Sequence, residues 1–552
     1  MTRDSVLYDW THGWHGLVTV YVLVAVSQLA GQWRGRADIG AYVIWPLTSL
    51  VTMAVATITE TFLLWLLEKF ASLDAHGSTE PGVAVFLFMV GGFVGGLYWA
   101  KRNGPMLPLQ NRGAQVTDGT MQQWATKKRR AKAATQPDSQ LPLTIAHVEL
   151  PFEDETKHCK FVGNTGSGKS TAIREVVHGF LSRGDRAVIA DPDGGYLATF
   201  YNADRGDVIL NPFDARSASW DLFAEVRTAY DIDQLARSFI PDPRGGGDAQ
   251  WASYARTFFA AVTRQAYSAG IRDIGELYRL LTSATKGELQ VLLAGTPAAP
   301  FVEEGNEKMF GGIRSTTAEH VKILDYLRTQ SGPASSVREW IRSGKGVLFL
   351  PYQADQIAAL RSVISTWMRL AIFQTMSLGE GDHRLWFVID ELDALGAIDG
   401  LPDALARLRK FGGRCLLGFQ SIAQVSTTYG DGPAQAMVEN CASTLILRCS
   451  ASEGGGTARF ASRLIGEREI TRINRSVSRS SAGPGGDARD TEGHSEQTVL
   501  ESAVLPAEIE QLPDRTGYLK FASRAEWIKV GFPVYALKRN AEPIVPTDSH
   551  GL

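Results

Sequence analysis

Hydrophobic and polar positions form three kinds of pattern along the chain, and the first is a set of long apolar stretches near the N-terminus. Uncharged stretches lie at Gly16–Trp33, Ile39–Thr59 and Pro81–Ala100. A helix needs about 20 apolar residues to cross a bilayer, and the first and third stretches are long enough. Because the N-terminus carries little positive charge and no small-residue cleavage site stands out, a cleaved signal peptide is not favoured. The pattern predicts a transmembrane helical anchor over residues 1–102.

Charges beside these stretches predict their orientation and leave their number open. Lys101–Lys132 contains eight Lys and Arg residues, so this flank and everything after it should be cytoplasmic. The acidic segment Glu68–Glu80 should lie outside, and Arg34 with Arg36 would place the first loop inside, which gives three spans. In a two-span alternative, Ile39–Leu67 lies outside as an amphipathic or membrane-lying segment.

Small residues in the third apolar stretch indicate a close contact between helices. Gly91-Gly92 and Gly95-Gly96 repeat a small-x-x-x-small spacing, which lets helix backbones approach each other. The contact could form within one subunit or between subunits.

The second pattern alternates short apolar segments with helix-like segments, after a polar and basic linker at residues 103–142. The predicted strands are Cys159–Val162, Ala187–Asp191, Asp207–Asn211, Gly346–Leu350, Leu385–Asp390, Cys415–Gln420 and Thr444–Cys449. Strands that alternate with helices are typical of a parallel sheet covered by helices. The sequence therefore predicts an α/β domain in two parts, residues 143–221 and residues 343–552.

The third pattern consists of long helix-like runs between Asp221 and Arg342, almost without the alternation of β-branched residues that marks strands. This pattern predicts an all-α domain over residues 222–342, inserted into the α/β domain. Later, Arg475–Ser495 is rich in Gly, Ser and charge and is predicted to be a mobile loop. Thr516–Phe532 alternates enough to predict a terminal hairpin.

Composition adds two constraints. The 552 residues allow several domains, and the net charge of −3 gives no overall attraction to nucleic acid, so such a partner would need a local basic surface. The four cysteines lie in or near strand-like runs without metal-ligand spacing, which predicts reduced, buried thiols.

The segment that carries the clearest chemistry is Cys159–Thr171, C-K-F-V-G-N-T-G-S-G-K-S-T, a strand that enters G-x-x-x-x-G-K-S. Glycines let backbone N–H groups turn toward an anion, the lysine reaches the outer phosphates, and the serine hydroxyl ligates Mg²⁺. The helix that follows turns its positive end to the same phosphates. The predicted nucleotide-binding residues are Gly163, Asn164, Thr165, Gly166, Ser167, Gly168, Lys169, Ser170 and Thr171.

Two acidic residues complete the predicted site. Asp390 and Glu391 end the apolar strand L-W-F-V-I-D-E. In phosphate-loop enzymes the first acid of such a pair holds Mg²⁺ beside the loop hydroxyl, and the second polarises the attacking water. Asp390 and Ser170 are therefore the predicted metal ligands, and Glu391 is the predicted hydrolytic residue.

Three further residues are candidates for the functional site because of their positions in the predicted strands and helices. Gln420 ends the next strand, where an amide can sense the terminal phosphate. Arg409 lies on the preceding helix and could complete the site of a neighbouring subunit, although most exposed arginines on a helix are simply solvated. Asp191 could orient metal-bound water or cap the turn that follows it.

Several of these motifs carry a resemblance. The chain resembles the TraD-type coupling proteins of conjugative type IV secretion, within the FtsK/HerA group of RecA-like motor ATPases. The matching segments are G-N-T-G-S-G-K-S, A-D-P-D-G-G-Y, I-L-N-P-F-D-A-R-S-A-S-W-D-L, F-V-I-D-E-L and R-K-F-G-G-R-C-L-L-G-F-Q-S-I-A-Q. The resemblance implies a RecA-like core, a cytoplasmic all-α domain, ATP with Mg²⁺, and a membrane-anchored homohexamer around a DNA channel. It also implies that Arg409 is an arginine finger and Gln420 a sensor.

The resemblance implies a function as well. The expected protein is an ATP-driven DNA translocase of the bacterial inner membrane, which links relaxase-bound DNA, single-stranded in the leading hypothesis, to a type IV secretion channel. Family members usually have two spans, against three apolar stretches here, and some have a long acidic C-terminal tail. Since the sequence ends at Leu552 without such a tail, the helical insertion is the expected docking surface.

Two other functions remain as alternatives. A double-stranded DNA pump of the FtsK type would carry a winged-helix reader after the motor, and the residues after Gln497 are too few for one. A membrane receptor that recruits protein substrates and uses ATP to gate assembly belongs to a different class. Substrate docking by a Lys169→Ala variant would separate a receptor from a motor.

Overall fold

The structure is a computed structural model that describes residues 13–34, 89–98, 109–133, 142–242, 248–452, 456–480, 489–534 and 537–547. The strands are β1 (Leu109–Gly113), β2 (Val116–Asp118), β3 (Thr144–Ile145), β4 (Val148–Glu149), β5 (Cys159–Val162), β6 (Arg186–Pro192), β7 (Val208–Ile209), β8 (Ser219–Trp220), β9 (Ala334–Ser335), β10 (Val347–Tyr352), β11 (Leu385–Ile389), β12 (Gly413–Phe419), β13 (Ser443–Ile446), β14 (Glu467–Ser480), β15 (Arg489–Ser502), β16 (Thr516–Lys520) and β17 (Trp527–Gly531).

The α-helices are Gly13–Arg34, residues 89–98, Thr120–Ala133, Phe152–Glu155, Lys169–Ser182, Gly195–Phe200, Ala229–Phe239, Asp248–Ser268, Ile274–Thr282, Lys286–Leu293, Glu307–Val321, Ile323–Leu327, Val337–Ser343, Ile357–Met376, Leu401–Arg407, Ile422–Tyr429, Asp431–Asn440, Gly456–Ile465 and Pro506–Glu510. Two compact units result. One contains the described residues up to Asn111 together with Glu469–Val499, and the other contains Arg112–Arg468 and the described residues from Leu500 onward.

A ten-stranded sheet forms the centre of the second unit, in the order β2-β17-β16-β13-β5-β12-β11-β6-β10-β7. The strands from β13 to β7 are parallel, whereas β16 pairs antiparallel with both β13 and β17. Successive parallel strands require crossover connections, and helices supply most of them. The mostly parallel sheet with helices on both faces confirms the predicted fold class of this part of the chain.

Alternate residues of the central strands enter two separate hydrophobic cores. Leu385, Phe387 and Ile389 of β11 belong to one core, while Trp386 and Val388 belong to the other. This alternation follows from the pleat of a strand, which turns successive side chains to opposite faces. Continuous apolar runs such as L-W-F-V-I are therefore strands that are buried on both faces.

The part of the chain between β8 and β10 is almost entirely helical. It contains the helices from Ala229–Phe239 to Val337–Ser343, with β9 as a short strand beside β8. Buried aromatic residues of this part pack in the same core as β11, among them Phe258 and Phe259. The predicted helices are present, and the proposed domain limits at residues 222 and 342 stay a prediction.

In the first unit, two helices approach each other closely. A Cβ atom added to Gly96 would lie 2.3 Å from the Gln28 carbonyl oxygen, and one added to Gly92 would lie 2.4 Å from Ser27 Oγ. The small-residue spacing of the third apolar stretch thus serves a contact within the chain, between residues 89–98 and Gly13–Arg34.

Of the three predicted apolar stretches, Gly16–Trp33 lies within the described helix Gly13–Arg34, and the third is described only over residues 89–98. Ile39–Thr59 and residues 81–88 belong to the part that the structure leaves undescribed. Among the helices that are described, none combines the length and the apolar character that a membrane span requires. The two-span and three-span alternatives both stay predictions.

The loop predicted at Arg475–Ser495 is wrong over most of its length. Residues 475–480 belong to β14 and residues 489–495 to β15, and both strands join β1 in a three-stranded sheet. A sheet is held by backbone hydrogen bonds, which every non-proline residue can form, so a segment rich in Gly, Ser and charge can still pair as a strand. The composition of this segment therefore predicted a loop, although most of the segment forms paired β-strands. The thiol prediction, by contrast, is confirmed, since all four cysteines are free and buried.

Candidate functional site

The phosphate-binding motif forms a tight loop between β5 and the helix Lys169–Ser182. Gly168 caps this helix with φ 109°, in the left-handed region that favours glycine. A Cβ atom there would lie 2.8 Å from Arg515 Cγ. The loop is held from outside, because the Asn164 N–H donates to the Arg448 carbonyl at 2.9 Å and the Arg515 N–H donates to the Ser167 carbonyl at 2.8 Å.

Asp390 lies beside the loop hydroxyl. Ser170 Oγ donates to Asp390 Oδ2 at 2.6 Å, and the Tyr196 hydroxyl donates to the same oxygen at 2.8 Å. Asp390 directly follows β11, which is two strands from β5 in the sheet, so parallel strand ends bring the two motifs together. Burial raises the pKa of Tyr196 well above its ordinary value, and the adjacent Asp390 carboxylate adds to that shift. Tyr196 therefore acts as a neutral donor that fixes Asp390.

Glu391 and Gln420 form the second part of the site. Gln420 Nε2 donates to Glu391 Oε1 at 2.5 Å, and Gln420 Oε1 accepts from Thr165 Oγ1 at 3.0 Å. Gln420 thus links the phosphate loop to the acid. Burial raises the pKa of Glu391, and the neighbouring carboxylates of Asp393 and Asp390 add to the rise while Lys169 opposes it. A raised pKa makes this carboxylate a better proton acceptor.

Asp191 serves the backbone. Its two carboxylate oxygens accept from the N–H groups of Tyr196 and Leu197 at 3.0 and 2.7 Å, at the start of the helix Gly195–Phe200. Complete burial raises the pKa of Asp191 to about 7 despite these hydrogen bonds. Asp191 was considered either as a residue that orients metal-bound water or as a cap of the turn that follows it. The observed contacts are those of a cap.

A cavity of about 530 Å³ joins these groups. The predicted residues Asn164, Thr165, Gly166, Gly168, Lys169, Ser170, Thr171, Asp390, Glu391 and Gln420 line it. Three arginines that sequence reasoning missed line it as well: Arg174, Arg515 and Arg539. Arg174 is one helical turn after Ser170, so its spacing could have revealed it. Arg515 and Arg539 come from distant segments that no local pattern connects to the loop.

The donor set fits a magnesium ion. Asp390 Oδ1 is buried and has no hydrogen-bond partner among the residues that the structure describes. Mg²⁺ is bound by hard oxygen ligands, often one or two carboxylates together with substrate phosphates and water. The free oxygen of Asp390 and the Ser170 hydroxyl supply such ligands at one place.

Arg409 lies away from this cavity. It is exposed on a 3₁₀ turn, Leu408–Phe411, immediately before β12 begins. Gln420 follows the other end of β12, so the seven residues of that strand separate Arg409 from the site of its own chain by roughly 20 Å. Arg409 is thus placed at the amino edge of the parallel strands, opposite the phosphate loop.

The model of a known family matches this region of the chain. Residues 142–533 match the family described as the type IV secretion-system coupling protein DNA-binding domain. The chain belongs to this family. Coupling protein TraD of Escherichia coli strain K12 is 31% identical over 414 residues, which are 74% of this chain and 56% of that protein. Conjugal transfer protein TraG of Escherichia coli is 26% identical over 330 residues, 52% of each chain. The chain thus spans about half the length of these curated relatives.

Solved structures of another coupling protein share the fold. Plasmid coupling protein TrwB in complex with the non-hydrolysable ATP analogue ADPNP superposes with a TM-score of 0.68 at 30% identity, over 80% of this chain and 99% of that one. TrwB in complex with ADP and Mg²⁺ gives the same TM-score over 81% of this chain. The family resemblance and the RecA-like α/β core predicted for this chain are therefore confirmed.

Proposed function

We propose that this chain is an ATP-driven DNA translocase, which couples relaxase-bound DNA to a type IV secretion channel. One observation carries the proposal. Ser170 with Asp390, and Glu391 with Gln420, meet in a single cavity beside the phosphate loop. That arrangement is what hydrolysis of a bound nucleoside triphosphate requires. The binding of ADPNP and of ADP with Mg²⁺ by TrwB supports ATP and Mg²⁺ as the cofactors.

In the proposed site each residue has a separate task. The loop residues Gly163–Thr171 hold the phosphates through backbone N–H groups and Lys169. A bound magnesium ion would neutralise charge on the phosphates. Ser170 and Asp390 hold its position, with Tyr196 fixing the carboxylate. Glu391 takes a proton from the attacking water, and Gln420 relays the state of the terminal phosphate to the loop through Thr165.

The proposed site is half of a shared one. Because Arg409 lies at the opposite edge of the sheet from its own phosphate loop, it is suited to enter the site of a neighbouring subunit. An arginine supplied in this way stabilises charge on the transferred phosphoryl group. A ring of identical subunits, in the proposed hexamer, would place every Arg409 at an interface.

The proposal places this motor at the inner membrane of a bacterium, anchored by the apolar N-terminal stretches in two or three spans, with the ATPase in the cytoplasm. DNA would pass through the ring by contacts with its phosphate backbone, which need no sequence preference. The inserted helical region over residues 222–342 would receive the relaxase or an accessory protein.

ATP hydrolysis by the detergent-solubilised full-length chain, measured with and without single-stranded DNA, tests the proposal. We expect Mg²⁺-dependent hydrolysis that single-stranded DNA accelerates severalfold and that Lys169→Ala abolishes. Lys345→Ala, in an exposed loop before β10, is the matched control. Hydrolysis without any response to DNA, together with no DNA binding, would rule out the translocase.

A further inference from the structure

The last described segment of the chain, residues 537–547, folds back over the nucleotide-binding unit, and we refer to it as the C-terminal strap. Its first attachment is to the helix Gly195–Phe200, whose start borders the nucleotide cavity. The Asn540 and Ala541 N–H groups both donate to the Ala198 carbonyl, at 2.7 and 3.1 Å. Asn540 Nδ2 donates to the Thr199 carbonyl at 2.8 Å. Three hydrogen bonds therefore fix the strap immediately after Arg539.

The N-P-F-D-A-R motif, residues 211–216, forms a second attachment. This motif has no role in the hydrolysis proposed above. The Ala215 N–H donates to the Val545 carbonyl at 2.8 Å, and Arg216 Nη1 donates to the Glu542 carbonyl at 2.9 Å. Asp214 is fully buried and holds Arg216 by an ion pair of 2.6 Å. Asp214 Oδ2 also accepts from the Val545 N–H at 3.3 Å. This pair of residues, Asp214 and Arg216, forms a clamp on the strap.

Between the two attachments the strap crosses a glycine. A Cβ atom on Gly194 would lie 2.3 Å from the Pro543 carbonyl oxygen, and Gly194 has φ 65°. Its neighbours Asp193 and Gly195 line the nucleotide cavity. The G-G pair of A-D-P-D-G-G-Y thus lets the strap pass in contact with the rim of the site.

Arg539 is the strap residue that reaches this cavity. Its exposed guanidinium has no hydrogen-bond or ion-pair partner in the described parts of the chain. A guanidinium offers a planar set of donors that matches a phosphate group, and charge-assisted hydrogen bonds of this kind are the strong ones. Lys169 and the phosphate loop line the same cavity as Arg539, so a phosphate bound by the loop would lie in the cavity that Arg539 borders.

We propose that the C-terminal strap brings Arg539 to the phosphates of the nucleotide in its own subunit, and that the clamp of Asp214 and Arg216 positions it. The inference rests on the proposed function, since it needs a nucleotide in this cavity. It adds a binding residue beyond residues 142–533, where the family match ends. Arg539 contacts the ligand, whereas Arg216 is a positioning residue that acts through the strap.

Binding of a fluorescent ATP analogue with Mg²⁺ by the full-length protein tests the contact. Arg539→Ala is expected to weaken binding about tenfold, the effect of losing one charge-assisted hydrogen bond. Arg539→Lys should recover part of the loss because it keeps the charge. Lys538→Ala removes the exposed neighbouring cation, which does not line the cavity, and should bind as the unchanged protein does.

A double variant separates the clamp from a general effect on folding. Arg216→Ala should also weaken binding, and hydrogen exchange over residues 537–547 should become faster. In the Arg539→Ala background, Arg216→Ala should cause no further loss, because both changes act through one guanidinium. A residue with only a structural role would weaken binding in either background.

Each outcome decides between the two proposals. Unchanged binding by Arg539→Ala overturns the strap contact while the proposed ATPase stands. Equal losses from Arg216→Ala in both backgrounds overturn the clamp. Absence of nucleotide binding by the unchanged protein overturns both proposals. Nucleotide binding and hydrolysis without any response to DNA, together with no DNA binding, overturn the translocase alone.

Discussion

Buried charged groups lie at both ends of the parallel strands, which we call the amino edge and the carboxyl edge of the sheet. The two edges differ in whether these groups have partners within the fold. At the amino edge, Arg414 is 1% exposed, and its side chain contacts Glu155 at 3.1 Å and Asp382 at 2.8 Å. Arg183 contacts the same Glu155 at 2.7 Å, and Trp386 Nε1 donates to Asp185 at 3.0 Å. Each of these charged groups is paired within the fold.

The carboxyl edge leaves several polar groups open. Asp390 Oδ1 and Arg174 Nε are buried without a partner in the described residues, and Arg539 lines the same cavity. Buried polar groups in native proteins nearly always find partners, so open groups that converge on one cavity indicate a ligand that completes them. The comparison indicates that charged groups paired with each other stabilise the fold, whereas charged groups without a partner identify the ligand-binding site.

Arg409 is the exception that makes the comparison useful. It belongs to the amino edge, yet it is exposed and stands outside the ion-pair network of Arg414. The network fixes the turn that carries it, because Arg414 Nη1 also donates to the Gly412 carbonyl at 2.7 Å. An exposed arginine on a turn held in this way, with no ion pair to the residues that the structure describes, suits the role that we propose for Arg409 in a neighbouring subunit.

Arg409→Ala is expected to have the largest effect. Arginine fingers contribute about 10³–10⁵-fold to the rate of phosphoryl transfer, so ATP hydrolysis should fall by at least about 10³-fold while thermal stability is kept. Arg407→Ala changes an exposed arginine at the end of the preceding helix, Leu401–Arg407, and is the control. Mixed with Lys169→Ala subunits, the variant should regain activity, because some interfaces then combine an intact loop with an intact arginine. Failure to regain it would contradict action between subunits.

Glu391→Gln should follow in size. The amide keeps an oxygen that can accept from Gln420 but cannot take a proton, so hydrolysis should fall about 10²–10⁴-fold. Nucleotide binding should stay near that of the unchanged protein. Asp403→Asn, on the exposed side of the helix Leu401–Arg407, provides the control. A variant that hydrolyses ATP normally would show that the open charges at the carboxyl edge bind without catalysing.

The sequence revealed one edge of the sheet far better than the other. The phosphate loop, Asp390, Glu391 and Gln420 each follow directly after an apolar strand, and parallel strands bring such ends together by construction. The amino edge depends on pairs such as Glu155 with Arg414, which are far apart in the sequence and share no motif. No spacing rule predicts a partner of that kind.

The same limit explains the residues that were missed within the site. Tyr196 lies inside a recognised motif, but its hydroxyl reaches Asp390 only because the helix Gly195–Phe200 packs beside β6, the strand that pairs with β11. Arg515 and Arg539 arrive from segments around and beyond an antiparallel hairpin, β16 and β17. Tertiary packing decides such contacts, and hydrophobic periodicity carries no information on them.

Arg414→Met tests the structural side of the comparison. Without Arg414, the buried Glu155 carboxylate keeps only Arg183 as a cationic partner. The loss of stability should therefore be at most about 3–5 kcal/mol, the cost of leaving a buried charge wholly unpaired. The midpoint of denaturation by urea should fall accordingly, while the affinity of the folded fraction for nucleotide is kept. Arg328→Ala removes half of a solvent-exposed pair with Asp325 and should lower the midpoint far less. Equal effects of the two changes would show that the network contributes little to the fold.

The smallest predicted effect concerns His158, which precedes β5 at the amino edge. Its Nδ1 accepts from the Cys415 N–H at 3.1 Å, so we assign the proton to Nε2, which then donates to the Leu405 carbonyl at 3.0 Å. Burial lowers the pKa of His158 from its usual 6.5 to about 4, and the charges of Arg409 and Arg414 add to the lowering. The folded protein therefore holds a neutral imidazole.

Below pH 6.5 the unfolded chain takes up this proton before the folded protein does. The stabilising contribution is complete above about pH 6.5 and is lost as the pH falls toward 4, by about 3 kcal/mol in total. His158→Asn keeps an acceptor for the Cys415 N–H and does not titrate. Urea denaturation of both proteins between pH 7 and pH 4 should show their stability difference shrinking as the pH falls. If the difference in stability between the two proteins stays constant with pH, the pKa of His158 is not lowered in the folded protein. The amino edge would then accommodate a charged imidazole.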